Sequence, residues 1–213
     1  NVERIDNKWN LKSKEEGQKK SKLYSKDLTE EEFISMIQKG YGIQLRYAEL
    51  GKLPIIKRIG FTPKIQLAMA QISVFGAIRI FGMNKVQPID SVLKRILIRD
   101  PYTFEKYMSS YVTVDRKIQE EMIKAHSTTL PPLLKAGVNV DKELMSYAVQ
   151  DEDVKKIISA DYEMQEKIIK GHPTMVPLLL KAGISVIQPW IDYAAKHDET
   201  VKKYLDSHYY KKE

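Results

Sequence analysis

The sequence predicts an all-α protein, an α-solenoid of about seven stacked helical hairpins with an extended N-terminal arm. Two repetitions predict it. The stretch "KIIKGHPTMVPLLLKAG" at 167–183 nearly copies "EMIKAHSTTLPPLLKAG" at 121–137, and apolar groups recur every 22–28 residues from residue 42 onward. Periods of this length are typical of solenoids. The composition, 43% hydrophobic and 30% charged without cysteine, fits a globular protein that has neither disulfides nor thiolate metal sites.

Residues 1–27 are predicted to form a basic, flexible arm. They contain few apolar residues and carry eight lysines or arginines against five acids. Such a segment buries too little surface to offset the entropy of ordering, so we expect it to order when something else holds it. Its expected anchors are Trp9, Leu11, Leu23 and Tyr24. The alternative is that the arm packs on its own repeats.

Residues 28–41 are predicted to contain a short leading helix. Thr29 followed by Glu32 three residues later is a capping-box signature. Three consecutive glutamates suit the positive end of the helix dipole, and Gly40 offers a C-terminal stop.

Residues 42–213 are predicted to form the helical-hairpin repeat domain. Each unit has an apolar group, then a turn-forming stretch such as "QDED", "KGHP" or "KHDE", then apolar residues at i, i+3 and i+4. Helices this short do not persist alone in water, so the units are expected to stack for a shared core. Pro131 and Pro177 are expected near the starts of second helices, where a missing N–H costs least.

Two stretches carry a family resemblance. "KGHPTMVPLLLKAGISV" at 170–186 and "WIDYAAKHDETVKKYLDS" at 190–207 resemble the two-helix part of ankyrin repeats, with Gly171 and His172 at the turn and Ala182-Gly183 closing the second helix. The threonine-proline-leucine-histidine opening is missing, and the repeats are too short for the ankyrin β-hairpin. The resemblance covers residues 42–208 and implies an ankyrin-like solenoid. Short arrays of this kind also suggest a phage or large DNA virus origin.

The polar motifs are interpreted as structural. His126 and His172 occupy equivalent turn positions, and the acids at 151–153 precede a helix whose start they can cap. Phosphate-cradling glycine loops, nucleophile elbows and paired-histidine zinc helices are not recognisable in the sequence. We therefore predict a non-enzymatic protein without a metal or cofactor.

The basic stretch 46–99 is the feature that points to a partner. Residues 42–108 carry eleven lysines or arginines and only four acids, so they hold the whole net charge of +7. Equivalent positions of stacked repeats align, so the cations are expected to form a ridge that binds phosphates or an acidic protein surface. The ridge residues are Lys57, Arg58, Arg79, Arg95 and Arg99. The alternative is a solvated lysine-rich face.

The expected function is a protein-interaction or structural component of a larger assembly, which binds other proteins through the arm and one solenoid face. The alternative is a nucleic-acid-binding module that contacts phosphates along residues 46–99. The most apolar window, 65–78, is shorter than the roughly 20 residues that a membrane span needs. The expected location is the cytoplasm, or an intracellular or viral assembly.

Overall fold

The computed structural model describes residues 22–39 and 50–210, and within them every regular element is a helix. The predicted all-α class is therefore confirmed, while the seven-hairpin solenoid and its repeat length stay predictions. The helices are α1 (Glu30–Gln38), α2 (Pro54–Ile59), α3 (Pro63–Ile72), α4 (Val74–Asn84), α5 (Asp90–Arg99), α6 (Pro101–Tyr107), α7 (Arg116–Ala125), α8 (Leu130–Lys135), α9 (Lys142–Ala148), α10 (Glu152–Ala160), α11 (Tyr162–Gly171), α12 (Val176–Lys181), α13 (Gln188–His197) and α14 (Glu199–His208).

The start of α1 has the predicted capping box. The side chain of Thr29 accepts a hydrogen bond from the backbone N–H of Glu32, and the Glu32 carboxylate accepts one from the backbone N–H of Thr29. Two of the N–H groups that a helix start leaves unsatisfied thus gain partners. Gly40, the predicted stop, lies outside the described residues, and the helix ends at Gln38.

The chain divides into two compact units, and the boundary follows Ile96. In the N-terminal unit, α3 packs against both α1 and α4. The core of this unit is aliphatic and aromatic, and its largest fully buried side chains include Phe33, Ile65 and Phe81. Burying a side chain of this size contributes about 1.5–3 kcal/mol. Packing therefore supplies the stability that helices of 6–11 residues lack alone.

In the C-terminal unit, each helix from α6 to α14 packs against a helix two positions away along the chain. Helix α7 contacts α9, α11 contacts α13, α8 contacts α6 and α10, and α12 contacts α14. The two near-identical stretches fold alike, since α7 and α11 begin 46 residues apart and so do α8 and α12. A short 3₁₀ turn precedes each of α8 and α12, and Pro131 and Pro177 are their second residues, as predicted.

Three buried glutamines form bridges, which sequence reasoning missed. Gln66, Gln119 and Gln165 are 5%, 6% and 0% exposed. The side-chain amide of Gln165 donates to the carbonyls of Ile158 (3.0 Å) and Ser185 (2.9 Å), and its side-chain oxygen accepts from the backbone N–H of Ile187 (3.2 Å). Each glutamine bridge ties one helix to a loop about two dozen residues farther along the chain.

Gln119 and Gln66 make matching bonds. Gln119 donates to the carbonyls of Val114 (3.0 Å) and Asn139 (3.3 Å) and accepts from the backbone N–H of Asp141 (3.1 Å). Gln66 donates to the carbonyl of Phe61 (2.9 Å) and accepts from the backbone N–H of Ile89 (2.9 Å). Buried amides are costly unless bonded, so these polar groups stay in the core only because all three have partners.

The helices that precede the bridged loops end in the same way. Lys85, Gly137 and Gly183 have φ of 52°, 72° and 82°, in the left-handed region. The backbone N–H of Gly183 donates to the carbonyl of Leu180, and the next N–H donates to the carbonyl of Leu179. This pair of hydrogen bonds is a Schellman motif. Glycine suits its left-handed position because glycine lacks Cβ.

Candidate functional site

Three of the five predicted ridge residues, Lys57, Arg95 and Arg99, are exposed cations that have no internal contact among the described residues. Lys57 lies in the last turn of α2, and Arg95 and Arg99 lie on the outer face of α5 beside Ile98, which is 50% exposed. Among the described residues none of these three cations forms an ion pair with a carboxylate. They are therefore available to an external anion or acidic surface.

The other two ridge residues have internal contacts. Arg58 donates to the backbone carbonyl of Lys26 (2.7 Å) and to that of Leu28, and so ties the segment before α1 to the end of α2. Arg79, in the middle of α4, is half-buried, and its guanidinium lies 5.5 Å from the centre of the Phe75 ring. The structure thus assigns Arg58 a positioning role that the sequence did not indicate.

The arm residues fall partly within the described chain. Trp9 and Leu11 lie outside it. Tyr24 is 44% exposed, whereas Leu23 and Leu28 are 3% and 1% exposed and belong to the core. Leu23, which lies within the predicted arm, is therefore a core residue, and the nearby carbonyls of Lys26 and Leu28 accept from Arg58.

The balance of charge differs between the two units, although Lys22 and Lys64 of the N-terminal unit pair with glutamates of α1. Residues 50–96 contain eight lysines or arginines and a single acid, Asp90. In the C-terminal unit, lysines and acids interleave along the helices and form ion pairs such as Lys170–Glu166 (2.5 Å). Burial disfavours the ammonium of Lys167, but its hydrogen bonds to Glu105 (3.0 Å) and Glu163 outweigh this effect and raise the Lys167 pKa. Residues 109–213 carry 15 lysines or arginines against 16 acids, so the charges of this part of the chain nearly cancel.

An exposed stripe runs along α4. Phe75 and Met83 are 46% and 55% exposed and lie eight residues apart, with Arg79 midway between them. We call these three residues the α4 stripe. The spacing i, i+4, i+8 places them on one face of the helix, and this spacing is readable in the sequence. Sequence reasoning missed the stripe because Arg79 and Asn84 are the polar side chains of α4 and the rest of the helix is apolar or glycine, so the outward residues do not stand out from the core residues.

A cleft of about 240 Å³ lies in the C-terminal unit, between the loop after α8 and helix α11. Its walls include Val138, Met145 and Ile168, and Lys167 and His172 contribute its polar groups. Nε2 of His172 lies 3.1 Å from the carbonyl oxygen of Val140, so this nitrogen carries the proton and donates. The ring therefore holds the loop in place, and Nε2 is not available as a base in the cleft.

The remaining polar motifs are structural. Asp151 caps α10 by accepting from the backbone N–H groups of Asp153 (2.9 Å) and Val154 (3.3 Å), as predicted. His126 ends α7 at the turn where it was expected. In the part of the chain that the structure describes, no three histidine, aspartate or glutamate side chains gather into a metal-binding group.

Within the described ranges, no helix combines the length and apolar character that crossing a bilayer requires. No protein-family profile, curated protein or solved structure matches the chain.

Proposed function

We propose that this protein is a non-enzymatic interaction or structural component of a larger assembly. It binds other proteins through residues 1–27 and through one face of a solenoid of about seven helical hairpins. The predicted location in the cytoplasm, or in an intracellular or viral assembly, is part of this proposal. Two polar residues of the repeated turns support it, because Asp151 caps a helix and His172 binds a loop carbonyl.

The observation that carries the proposal is the contrast in charge along the chain. Lys57, Arg95 and Arg99 are exposed cations without carboxylate partners among the described residues. Residues 50–96 carry eight lysines or arginines against one acid, whereas residues 109–213 carry 15 against 16 acids. Unpaired charges of one sign steer association with a surface of the opposite sign. An acidic protein surface is therefore the expected partner of the basic stretch 46–99.

The test replaces Lys57, Arg95 and Arg99 with glutamine in the full chain. Association with the proteins that copurify with the native chain should slow, most clearly at low salt, because steering by charge is strongest there. A matched control replaces Lys142, Lys202 and Lys203, three exposed lysines outside the basic stretch, and removes the same charge. Equal effects of both triple variants, or no effect of either, would contradict the proposal.

The second candidate function is nucleic-acid binding through phosphates, favoured by the ratio of eight cations to one acid in residues 50–96. Affinity for a DNA duplex should then fall steeply with salt, with a log-log slope of about −0.9 per phosphate neutralised. The variant at Lys57, Arg95 and Arg99 should flatten that slope. A native chain that binds duplex no better than the triple variant does at low salt rules this candidate out.

A further inference from the structure

We propose that the α4 stripe is the docking site for an acidic amphipathic helix of a protein partner. This inference rests on the proposed function, because it names the face and the class of partner. The stripe consists of Phe75, Arg79 and Met83, and it extends about 12 Å along α4 at 1.5 Å per residue. That length suits two turns of a partner helix that lays its apolar face on the stripe.

The apolar ends of the stripe give the site its anchors. Phe75 is 46% and Met83 is 55% exposed, although the opposite face of α4 is buried through Ala77, Ile78 and Phe81. The Arg79 guanidinium lies over the Phe75 ring, and such a contact orients the ring. Methionine is flexible and adapts to varied partner surfaces, and aromatic residues are frequent energetic centres of interfaces.

Cations flank the C-terminal end of the stripe. A Cβ on Gly51 would lie 1.7 Å from Oδ1 of Asn84, so the backbone at Gly51 touches the side chain next to Met83. Lys52 follows Gly51, and Lys85 follows Asn84, which places both lysines beside this end. Residues 50–96 carry eight lysines or arginines against one acid, so the apolar stripe lies in a positively charged part of the chain. This combination is complementary to a helix that carries leucines on one face and glutamates along its edges.

The equivalent positions of the other two repeats are different. Residues 85, 137 and 183 each end a helix with positive φ, and the three helices can be aligned on them. The residue two positions earlier is Met83 in the first helix, Lys135 in the second and Lys181 in the third. Those lysines lie over tyrosine rings, at 5.7 Å from Tyr102 and 5.2 Å from Tyr204. Met83 therefore differs from its two equivalents, and the packing of the repeats does not require an exposed methionine there.

Charge argues against two other occupants. Residues 1–21 carry six lysines or arginines and four acids, so this segment has the same sign as the stripe's surroundings. A second copy of the chain would bring the same cationic face against itself, and like charges disfavour such symmetric pairing. Phosphate binding alone would leave the exposed Phe75 and Met83 without a role.

The experiment measures binding of a labelled synthetic peptide to the full chain by fluorescence anisotropy. The peptide is about 18 residues long, long enough for a helix of about 27 Å, with leucines at i, i+3, i+4 and i+7 and glutamates at its edges. A scrambled peptide of the same composition, a DNA duplex and vesicles with anionic lipid are measured in parallel. The proposal expects binding of the patterned peptide to exceed that of the scrambled one at least tenfold.

Two variants then separate apolar docking from charge. Phe75→Gln should weaken binding of the patterned peptide about tenfold or more, as loss of an aromatic anchor does. Met83→Lys introduces the residue of the equivalent positions. It should also weaken peptide binding although it adds a positive charge, whereas binding governed by charge alone would strengthen. The control Tyr147→Gln removes a ring of similar exposure, 54%, from the C-terminal unit and should change nothing.

Helical content and the unfolding midpoint of each variant establish that it is folded. If Phe75→Gln does not fold, Met83→Lys alone tests the proposal. Equal binding of patterned and scrambled peptides, stronger peptide binding by Met83→Lys, or a preference for duplex or vesicles would each overturn the proposal. If the variant at Lys57, Arg95 and Arg99 loses its native partners while Phe75→Gln keeps them, the proposed function stands and the stripe is not its site.

Discussion

At the scale of single residues, Gly183 allows the cleanest test of the backbone. Its φ is 82°, and a Cβ built there would meet nothing within 4 Å, so the expected penalty of a side chain comes from the backbone alone. Gly183→Ala should lower the free energy of unfolding by about 1–2 kcal/mol. Urea unfolding measures this as a lower midpoint with an unchanged slope.

Gly171→Ala is the matched control for Gly183→Ala. Gly171 ends α11 with an ordinary φ, and its added Cβ would meet only Oδ1 of Asn139 at 3.7 Å. Alanine there should be neutral or slightly stabilising, because glycine gives up more conformational freedom on folding. Equal losses at both positions would contradict the backbone explanation. The first repeat has Lys85 in the same left-handed conformation, which shows that the helix ending is retained even where glycine is absent.

At the scale of elements, the glutamine bridges join helices to loops. Gln165→Leu keeps the volume of the side chain but leaves the Ile158 and Ser185 carbonyls and the Ile187 N–H without their bridge partner. We expect a loss of about 2–4 kcal/mol, because unsatisfied buried groups cost more than the bond itself contributes. The measurement is the urea midpoint, as for the glycine variants.

Gln150→Leu is the control for the bridge. Gln150 is exposed, and its side chain donates only to the carbonyl of Ser146 (3.3 Å) within the same helical region. Its substitution should change the free energy of unfolding by less than about 0.5 kcal/mol. A similar loss in both variants would mean that Gln165 contributes no more than a surface glutamine does.

Elements and bridges differ in how far the sequence predicts them. The capping box at Thr29, the cap at Asp151 and the prolines near helix starts depend on neighbours within four residues, so local pattern predicts them correctly. Gln165 bonds to residues 7–22 positions away, and a glutamine between Met164 and Glu166 looks like any polar position of an amphipathic helix. Its role depends on the tertiary fold, which local pattern does not contain.

The candidate site is likewise only partly predictable from the sequence. The basic stretch could be predicted because net charge is counted directly from the residues. Which of its cations are exposed and which have internal contacts could not be predicted. The Lys26 and Leu28 carbonyls that accept from Arg58, for example, lie 32 and 30 residues away in the sequence. The exposure of Phe75 and Met83 likewise follows only from knowing which face of α4 packs against α3.

At the scale of the whole molecule, two N-terminal deletions separate folding from binding. Removing residues 1–21 should leave the thermal midpoint nearly unchanged while weakening incorporation into the assembly, if the arm is a binding element. Removing residues 1–28 also deletes Leu23 and Leu28, which are 3% and 1% exposed, together with the carbonyls that accept from Arg58. This longer deletion should cost at least about 2 kcal/mol.

Scanning calorimetry and copurification distinguish the outcomes of the two deletions. Loss of stability with the shorter deletion would show that residues 1–21 contribute to the core. Normal incorporation by a chain that lacks residues 1–21 would remove the arm from the proposed function and leave the helical faces as the binding surfaces.

The glutamine bridges also bear on how the chain is made. The longest of their bonds joins residues 23 apart, Gln66 and Ile89, and the bonds of the other two bridges span at most 22. Contacts of such short sequence separation give a low contact order, which favours fast folding. A ribosome adds about 5–20 residues per second, so the partners of each bridge are synthesised within about 1–5 s of its glutamine. Each block of helices can therefore close during translation, in order from the N-terminus, without waiting for the C-terminal residues.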